Sequence, residues 1–152
     1  MQNSQTLHDI AAYAGYLKNE KELLDCSSGG IASALARKTI HQGGFVAGVA
    51  YSKDFKTAEY VIINTEDDLS KLRGSKYISV QKNTIYSDVQ SLLNNDKAVL
   101  FFGTPCIVAA LRAFLRKDYE KLLTVEFICH GPTDPKVHLH YVEHLEKSTT
   151  AK

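Results

Sequence analysis

Cysteine, proline and an excess of either charge are all scarce in this sequence. Its 152 residues include three cysteines, three prolines and nine glycines, and eighteen Lys and Arg against seventeen Asp and Glu leave a formal charge of +1. Three cysteines without a secretory leader do not read as a disulfide framework. Three thiolates also fall short of a four-cysteine zinc or iron–sulfur cage unless another residue type or another chain completes it. So few prolines and glycines exclude collagen-like and low-complexity chains. The even charge balance argues against a nucleic-acid binder working through a general basic field. No apolar run approaches the roughly 18 residues that a membrane-spanning helix needs. Met1–Asp9 is polar rather than basic and then apolar, so the chain is expected to be cytoplasmic.

What is present reads as one globular domain. Hydrophobic residues make up 44% and charged residues 23% of the chain. A chain of this size buries about 68–70% of the surface its unfolded form exposes, enough core to fold without staples. The expected organisation is a polar lead over residues 1–25, a single α/β domain over 26–147 and a frayed tail over 148–152.

Periodicity alternates along the chain. The lead contains one short apolar stretch, Ile10–Tyr16. Cys26-Ser27-Ser28-Gly29-Gly30 then precedes Ile31, Ala34, Leu35 and Ala36 at helical spacing, with Ser27 or Ser28 as the expected N-cap and Gly43-Gly44 as the stop. Phe45–Tyr51 is a nearly continuous apolar run, the mark of a buried strand, and Tyr60–Asn64 is its expected hairpin partner across Ser52–Thr57. Thr65-Glu66-Asp67-Asp68 reads as a helix start with Gly74 just past the end. Tyr77–Val80 reads as a short strand, and Ile85, Val89, Leu92 and Leu93 line one helical face that closes at Asn94-Asn95-Asp96. Ala98–Phe102 and Leu122–Cys129 are expected strands, with Ile107, Leu111, Phe114 and Leu115 marking the helix between them. Asp134–Lys147 is a last helix with Val137, Tyr141 and Leu145 on one side. This order predicts an α/β fold: a mixed sheet with a parallel βαβ unit in the second half and helices on both faces. The nineteen residues Gly103–Lys121 are long enough for the helical crossover.

The parallel pair gives the sharpest chemical inference. Cys106 and Cys129 would both follow the carboxyl ends of their strands, the edge where open α/β sheets bind ligands. Adjacent strands lie about 4.8 Å apart, which would let the two thiols approach within several ångströms. Gly103-Thr104-Pro105-Cys106 has the form of a helix beginning, with Thr104 as N-cap, Pro105 at the first helical position and Cys106 in the first turn. Unpaired N–H groups there favour anions and thiolates. Cys106 is therefore a candidate reactive or ligand-contacting thiol, and a small apolar residue tucked under the turn is the plain alternative.

Other segments offer weaker signals. Ser27-Ser28-Gly29-Gly30 is either a second anion cradle or a commonplace glycine-rich helix start. Arg73-Gly74-Ser75-Lys76-Tyr77 gathers two cations, a glycine and an aromatic, which suits a phosphate with a stacked ring and equally a solvated loop. Cys129-His130-Gly131-Pro132 leaves a strand and turns, and His130 is a candidate acid–base group, metal ligand or turn residue. His140 and His144 flank Glu143 in the H-x-x-E-H order of inverted zinc peptidases, but the pattern supplies no third protein ligand and no metal site is expected. His8 and His41 carry no readable signal. Nucleophile elbow, Walker A loop and dinucleotide fingerprint are absent.

Four segments taken together resemble one family. Ser27-Ser28-Gly29-Gly30 with its helix, Leu72-Arg73-Gly74-Ser75-Lys76-Tyr77, Gly103-Thr104-Pro105-Cys106 and Ile128-Cys129-His130-Gly131 are similar in order and spacing to the beta subunits of coenzyme F-420 hydrogenases and dehydrogenases and their bacterial relatives, over about residues 12–145. The resemblance implies a flavoprotein oxidoreductase that holds FAD against an α/β domain and passes electrons between iron–sulfur clusters and a two-electron carrier. It implies that Ser27, Ser28, Gly29 and Gly30 contact the FAD pyrophosphate or ribityl chain. Gly74, Ser75, Lys76 and Tyr77 would close over the cofactor, with Gly103, Thr104 and Pro105 beside it. Cys106, Cys129 and His130 are the implied catalytic candidates, Cys106 facing the flavin or a nearby cluster.

The departures are specific. The ferredoxin-like N-terminal segment and the C-terminal half usual in the family are expected to be missing here, so these cysteines do not complete the family's iron–sulfur cluster alone. Ile107 stands where a glutamine is usual, Pro132-Thr133 replaces a Val-Pro-Ser-like run, and Cys26 sits where serine or lysine is typical. The implied partners are an iron–sulfur electron-transfer protein or the missing family halves; a homo-oligomer is open, and nucleic acid is not expected. Beside the flavin reading stand a non-enzymatic α/β interaction or dimerisation module and a cofactor-free thiol-redox protein using Cys106 and Cys129.

Overall fold

A computed structural model describes residues 11–149. In chain order its elements are α1 (Glu20–Leu24), α2 (Ile31–His41), β1 (Phe45–Tyr51), β2 (Ala58–Ile63), α3 (Leu69–Leu72), β3 (Val80–Gln81), α4 (Ile85–Asn94), β4 (Val99–Gly103), α5 (Pro105–Leu115), β5 (Leu122–Glu126) and α6 (Pro135–Ser148). The strands form one mixed sheet in the order β3-β2-β1-β4-β5. β1 pairs antiparallel with its hairpin partner β2 and parallel with β4, and β4 pairs parallel with β5 from Val99↔Leu122 to Gly103↔Glu126. The expected α/β fold, its mixed sheet and its βαβ unit are therefore present.

The strands at the centre carry apolar residues on both faces because both faces are covered. Ala47, Tyr60, Val99 and Phe101 point to one side, where they meet Ile85, Val89 and Leu93 of α4 and Val108, Leu111 and Leu115 of α5. Val46, Ile63 and Leu100 point to the other, against Ala36 of α2 and Leu69 near α3's start. Phe101 is fully buried and stacks on Tyr60 with ring centroids 5.2 Å apart.

Several boundaries differ from the sequence expectation for identifiable reasons. The α2 N-cap position is held by Gly30 at φ 77°, with no side-chain cap bond, so neither Ser27 nor Ser28 is the cap. A side chain at Gly30 would also run into Leu17, whose Cδ1 lies 2.4 Å from where a Cβ would sit. The β2 strand begins earlier, at Ala58. The helix expected from Thr65–Asp68 is a single turn, Leu69–Leu72. The expected strand Tyr77–Val80 contracts to Val80–Gln81, with Ile78 in an isolated bridge to Thr133. The β5 strand ends at Glu126 rather than Cys129, because β4 ends at Gly103 and Pro105, which has no N–H to offer a ladder, opens α5. Of the apolar stretch Ile10–Tyr16, residues 11–16 are irregular and exposed, and Ile10 lies outside the described residues, as do His8 and most of the expected tail. Within the polar lead, Glu20–Leu24 forms α1.

Phe101→Ala would remove the centre of the larger cluster. Its expected cost is about 3–5 kcal/mol, from lost burial plus the cavity left behind, read as a lowered denaturant midpoint with an unchanged slope.

Candidate functional site

The topology gathers the four motif segments at one edge of the sheet. β1, β4 and β5 run parallel, so Tyr51, Gly103 and Glu126 end on the same side. The α2 helix runs into the amino end of β1, which puts its beginning, Ser27–Gly30, back at the carboxyl edge. β3 pairs parallel with β2, Val80 opposite Ala58, so Tyr77 also arrives there. Hydrogen bonds then join the segments. The Ser75 N–H donates to Ser27 Oγ at 3.0 Å, the Thr133 N–H to the Tyr77 carbonyl at 2.8 Å, and the Phe127 N–H to the Gly103 carbonyl at 3.3 Å.

Within this frame the individual residues depart from a simple anion cradle. Gly29 and Gly30 are closed over by the chain's own residues 15–17: a Cβ on Gly29 would lie 2.4 Å from the Gly15 carbonyl oxygen, and the Leu17 N–H donates to the Gly29 carbonyl at 2.8 Å. Ser27 and Ser28 are exposed beside them. Both cations of the 73–77 loop are engaged by the chain itself. Arg73 pairs with Glu22 at 2.8 Å and with Asp25 at 3.4 Å. Lys76 Nζ donates to the Arg73 and Lys71 carbonyls at 2.7 and 3.2 Å, as a cation does at the end of a helix, here α3. Burial lowers its pKa to about 8. Gly74, at φ 77° with no atom within 4 Å of where a Cβ would sit, is required for the turn and not for close contact. Tyr77 is 71% exposed at the edge.

At the end of β4, Thr104 occupies the α5 N-cap position and Pro105 the first turn, but the threonine side chain makes no cap bond. Its Oγ1 lies 3.2 Å from Cys106 Sγ instead. Gly103 is dictated by packing, since a Cβ there would sit 3.1 Å from both the Phe101 ring and the Tyr60 hydroxyl. Cys106 and Cys129 are exposed free thiols, each three residues beyond the registered pair Gly103↔Glu126. Cys129 Sγ accepts from the Gly131 N–H at 3.4 Å, with exposed His130 on the same turn. Cys26, half-buried, donates to the Glu22 carbonyl at 3.3 Å. Among the described residues no group of three or more His, Cys, Asp and Glu side chains is placed to hold a metal ion.

Sequence reasoning missed two phenols near Cys106. Tyr60 donates to the Phe102 carbonyl at 3.1 Å, and Tyr86 to the Ile107 carbonyl at 3.4 Å. Burial first, then Tyr86 and Cys106, holds the Tyr60 hydroxyl protonated well beyond its ordinary range, and burial followed by Cys106 does the same more mildly for Tyr86. Their signal was the parity of β2 and the inner face of α4, which reads as core rather than as site.

A charge network holds the α1 side of this edge. Glu22 of α1 accepts from both Arg37 of α2 and Arg73, and Glu66 accepts from Arg37 and His41. The Arg37 hydrogen bond, helped by the charges of Arg37 and Arg73 and opposed by burial, lowers the Glu22 pKa from 4.5. A depressed carboxylate stabilises the fold fully above its ordinary value and ceases to as pH falls through the folded value. Glu22→Gln is therefore expected to cost about 2 kcal/mol at neutral pH, the scale of charged hydrogen bonds lost at a partly buried site. The gap between the denaturant midpoints of parent and variant should shrink as pH falls below the ordinary carboxylate range; a gap that did not shrink would mean that packing, not ionisation, is responsible.

The family model for coenzyme F-420 hydrogenase/dehydrogenase, beta subunit N-terminal region, matches residues 12–85, which include the 27–30 and 72–77 segments and leave the two later ones outside. Among solved structures, a chain of the F-420-reducing NiFe hydrogenase complex from Methanosarcina barkeri, in a xenon derivative, superposes with a TM-score of 0.68 at 18% identity. That match takes in 90% of this chain and 51% of the other, so the present chain spans about half the length of its structural match and shares its fold. No curated protein matches the sequence. No described helix is long and apolar enough to cross a membrane. Over residues 12–85, this chain is therefore similar to the coenzyme F-420 hydrogenase/dehydrogenase beta-subunit family.

Proposed function

We propose that this chain is the flavin-binding domain of an electron-transferring oxidoreductase, with FAD at the carboxyl edge of the sheet. The observation that carries the reading is the convergence of the 27–30, 73–77, 103–106 and 129–133 segments on that edge, tied by the Ser27–Ser75 and Tyr77–Thr133 hydrogen bonds. The donor set fits a dinucleotide. Ser28 and the beginnings of α2 and α5 offer hydroxyl and main-chain donors to a pyrophosphate, and exposed Tyr77 offers a face to a ring. Lys76 shapes the 73–77 turn through the two carbonyls it holds, and adds positive potential without direct ligation. Thr104 orients the Cys106 thiol, and the Tyr60 and Tyr86 hydroxyls, held protonated, bond the main-chain carbonyls of Phe102 and Ile107 on either side of that turn. A bound flavin supplies the chemistry of a junction, accepting two electrons as a hydride and releasing them singly. Members of the family work with iron–sulfur partners, and such a partner or the family's other half is the proposed electron-transfer counterpart.

A second reading rests on a different observation. Leu123, Phe127 and Ile128 at the end of the sheet, and Val137, Tyr141 and Leu145 on α6, are all exposed. That is more apolar surface than scattered residues account for, and it suits an interaction or dimerisation module. The thiol-redox reading rests on the placement of Cys106 and Cys129 beyond one registered pair.

Absorption spectra before and after addition of FAD, with calorimetry, test the first reading. Binding at micromolar affinity or tighter is expected, with Tyr77→Ala weakening it about tenfold, the scale of one lost aromatic stack. A colourless protein that ignores excess FAD would sink the flavin reading; concentration-dependent dimers would then favour the second, and reversible loss of two titratable thiols the third.

A further inference from the structure

We propose that Tyr51 is a positioning residue that couples the 73–77 loop to helix α6, so that docking of α6 on the β1–β2 hairpin sets the geometry of that loop. The coupling goes beyond the flavin reading and holds in the protein without cofactor. Tyr51 is the last residue of β1, at the carboxyl edge. Its ring meets three segments that are distant in sequence. Lys76 Nζ lies 6.0 Å from the ring centroid. Phe55, in the hairpin turn, tilts against it at 5.7 Å. His138 of α6 stacks on it at 5.7 Å with the planes 6° apart.

The α6 helix needs such a tether. None of its residues is buried, so apolar burial does little to hold it down. Directional contacts hold it to the hairpin instead. His138 Nε2 donates to the Phe55 carbonyl at 2.7 Å, and Lys56 pairs with Glu146 at 3.1 Å. Between the hairpin and the helix runs an open groove of about 580 Å³, lined by Tyr51, Phe55, His138, Tyr141 and Leu145 among others. A helix held over a groove by a stacked ring, a hydrogen bond and an ion pair sits at the low end of local stability, with docked and lifted arrangements close in free energy.

Lys76 is the other end of the coupling. Among the described residues no carboxylate lies within ion-pair distance of its ammonium, which the Arg73 and Lys71 carbonyls hold. A half-buried cation without a counter-ion draws on the face of a neighbouring aromatic ring. When His138 lifts, Tyr51 loses the stack that fixes its ring, Lys76 loses a fixed neighbour, and the turn that Lys76 pins through two carbonyls loosens.

The test uses the full chain without flavin, so its failure and that of the flavin reading are distinguishable. Hydrogen exchange is followed at residues 73–79 and 135–148, together with the ring-current displacement of the Lys76 ε-methylene resonance, in His138→Ala, Tyr51→Leu and Tyr51→Phe. His138→Ala alters no contact made by residues 73–77 themselves, yet it is expected to speed exchange there about two- to fivefold, the worth of one exposed cation–π contact, and to shrink the Lys76 displacement. Tyr51→Leu should do the same to both segments, and Tyr51→Phe, which keeps the ring, should restore parental behaviour. If His138→Ala speeds exchange in α6 alone and leaves the loop and the Lys76 resonance unchanged, the coupling is overturned. Should Tyr51→Leu fail to fold, His138→Ala, on a helix with no buried residue, still decides the matter.

Discussion

The parallel alignment of β1, β4 and β5 is the constraint on which the rest of the molecule depends. Parallel neighbours cannot be joined by a hairpin, so each connection has to return over a face of the sheet. Here the returns bring α4 and α5 against one face, α2 ahead of β1 covers the other, and the core divides into one cluster on each side. With Val46, Ala47, Val99, Leu100 and Phe101 all buried, a slip of one residue in β1 or β4 would exchange the two faces and misfit both. A fixed register fixes the strand ends, and the strand ends fix where the loops meet. The candidate site follows from that arrangement rather than from any single motif.

The second organising feature is that the cations at this edge serve the fold. Arg73 is committed to Glu22 and Asp25, Arg37 to Glu22 and Glu66, and Lys76 to main-chain carbonyls. The short α1 helix, too short to stand alone, is held to α2 and to the 73–77 turn by Glu22. An anionic ligand arriving here would therefore meet a prearranged turn whose direct donors are hydroxyl and main-chain groups. Gly29 and Gly103 carry the same message: each is small because another part of the chain lies against it, the Gly15 carbonyl in one case and Phe101 with the Tyr60 hydroxyl in the other.

Much of the fold was legible in the sequence because its signals are local. The run Phe45–Tyr51, the Ile85–Val89–Leu93 stripe and the Thr104-Pro105 helix beginning each carry their own periodicity or capping chemistry, and each stands where expected. Boundaries set by partners were not legible. The end of β5 depends on where β4 stops, and the length of β3 on how much of β2 it meets. The site was legible at the level of segments and not of atoms. Spacing placed Cys106 and Cys129 on one edge, but no local pattern could show that Ser27 receives the Ser75 N–H, that Lys76 turns inward, or that Tyr60 and Tyr86 come to Cys106 from β2 and α4. Such facts depend on residues tens of positions apart, and one sequence carries no pairing information for them.

The flavin and interaction readings differ in ligand but share an edge. On the α2 side of the sheet, β1 and β4 are covered, while β5 leaves Leu123 and then Phe127 uncovered, with Ile128 87% exposed beside them. These residues run directly into Cys129 and His130, so the apolar surface is continuous with the motif edge rather than remote from it. A protein seated on Phe127 and Ile128 would touch the same edge at which the four segments meet. On the proposed flavin reading, an edge that is polar at 27–30 and 103–106 and apolar at 127–128 would meet the short separation that electron transfer between cofactor and partner requires. On this argument partner and cofactor would be neighbours, and occupancy of one would bear on the order of the other.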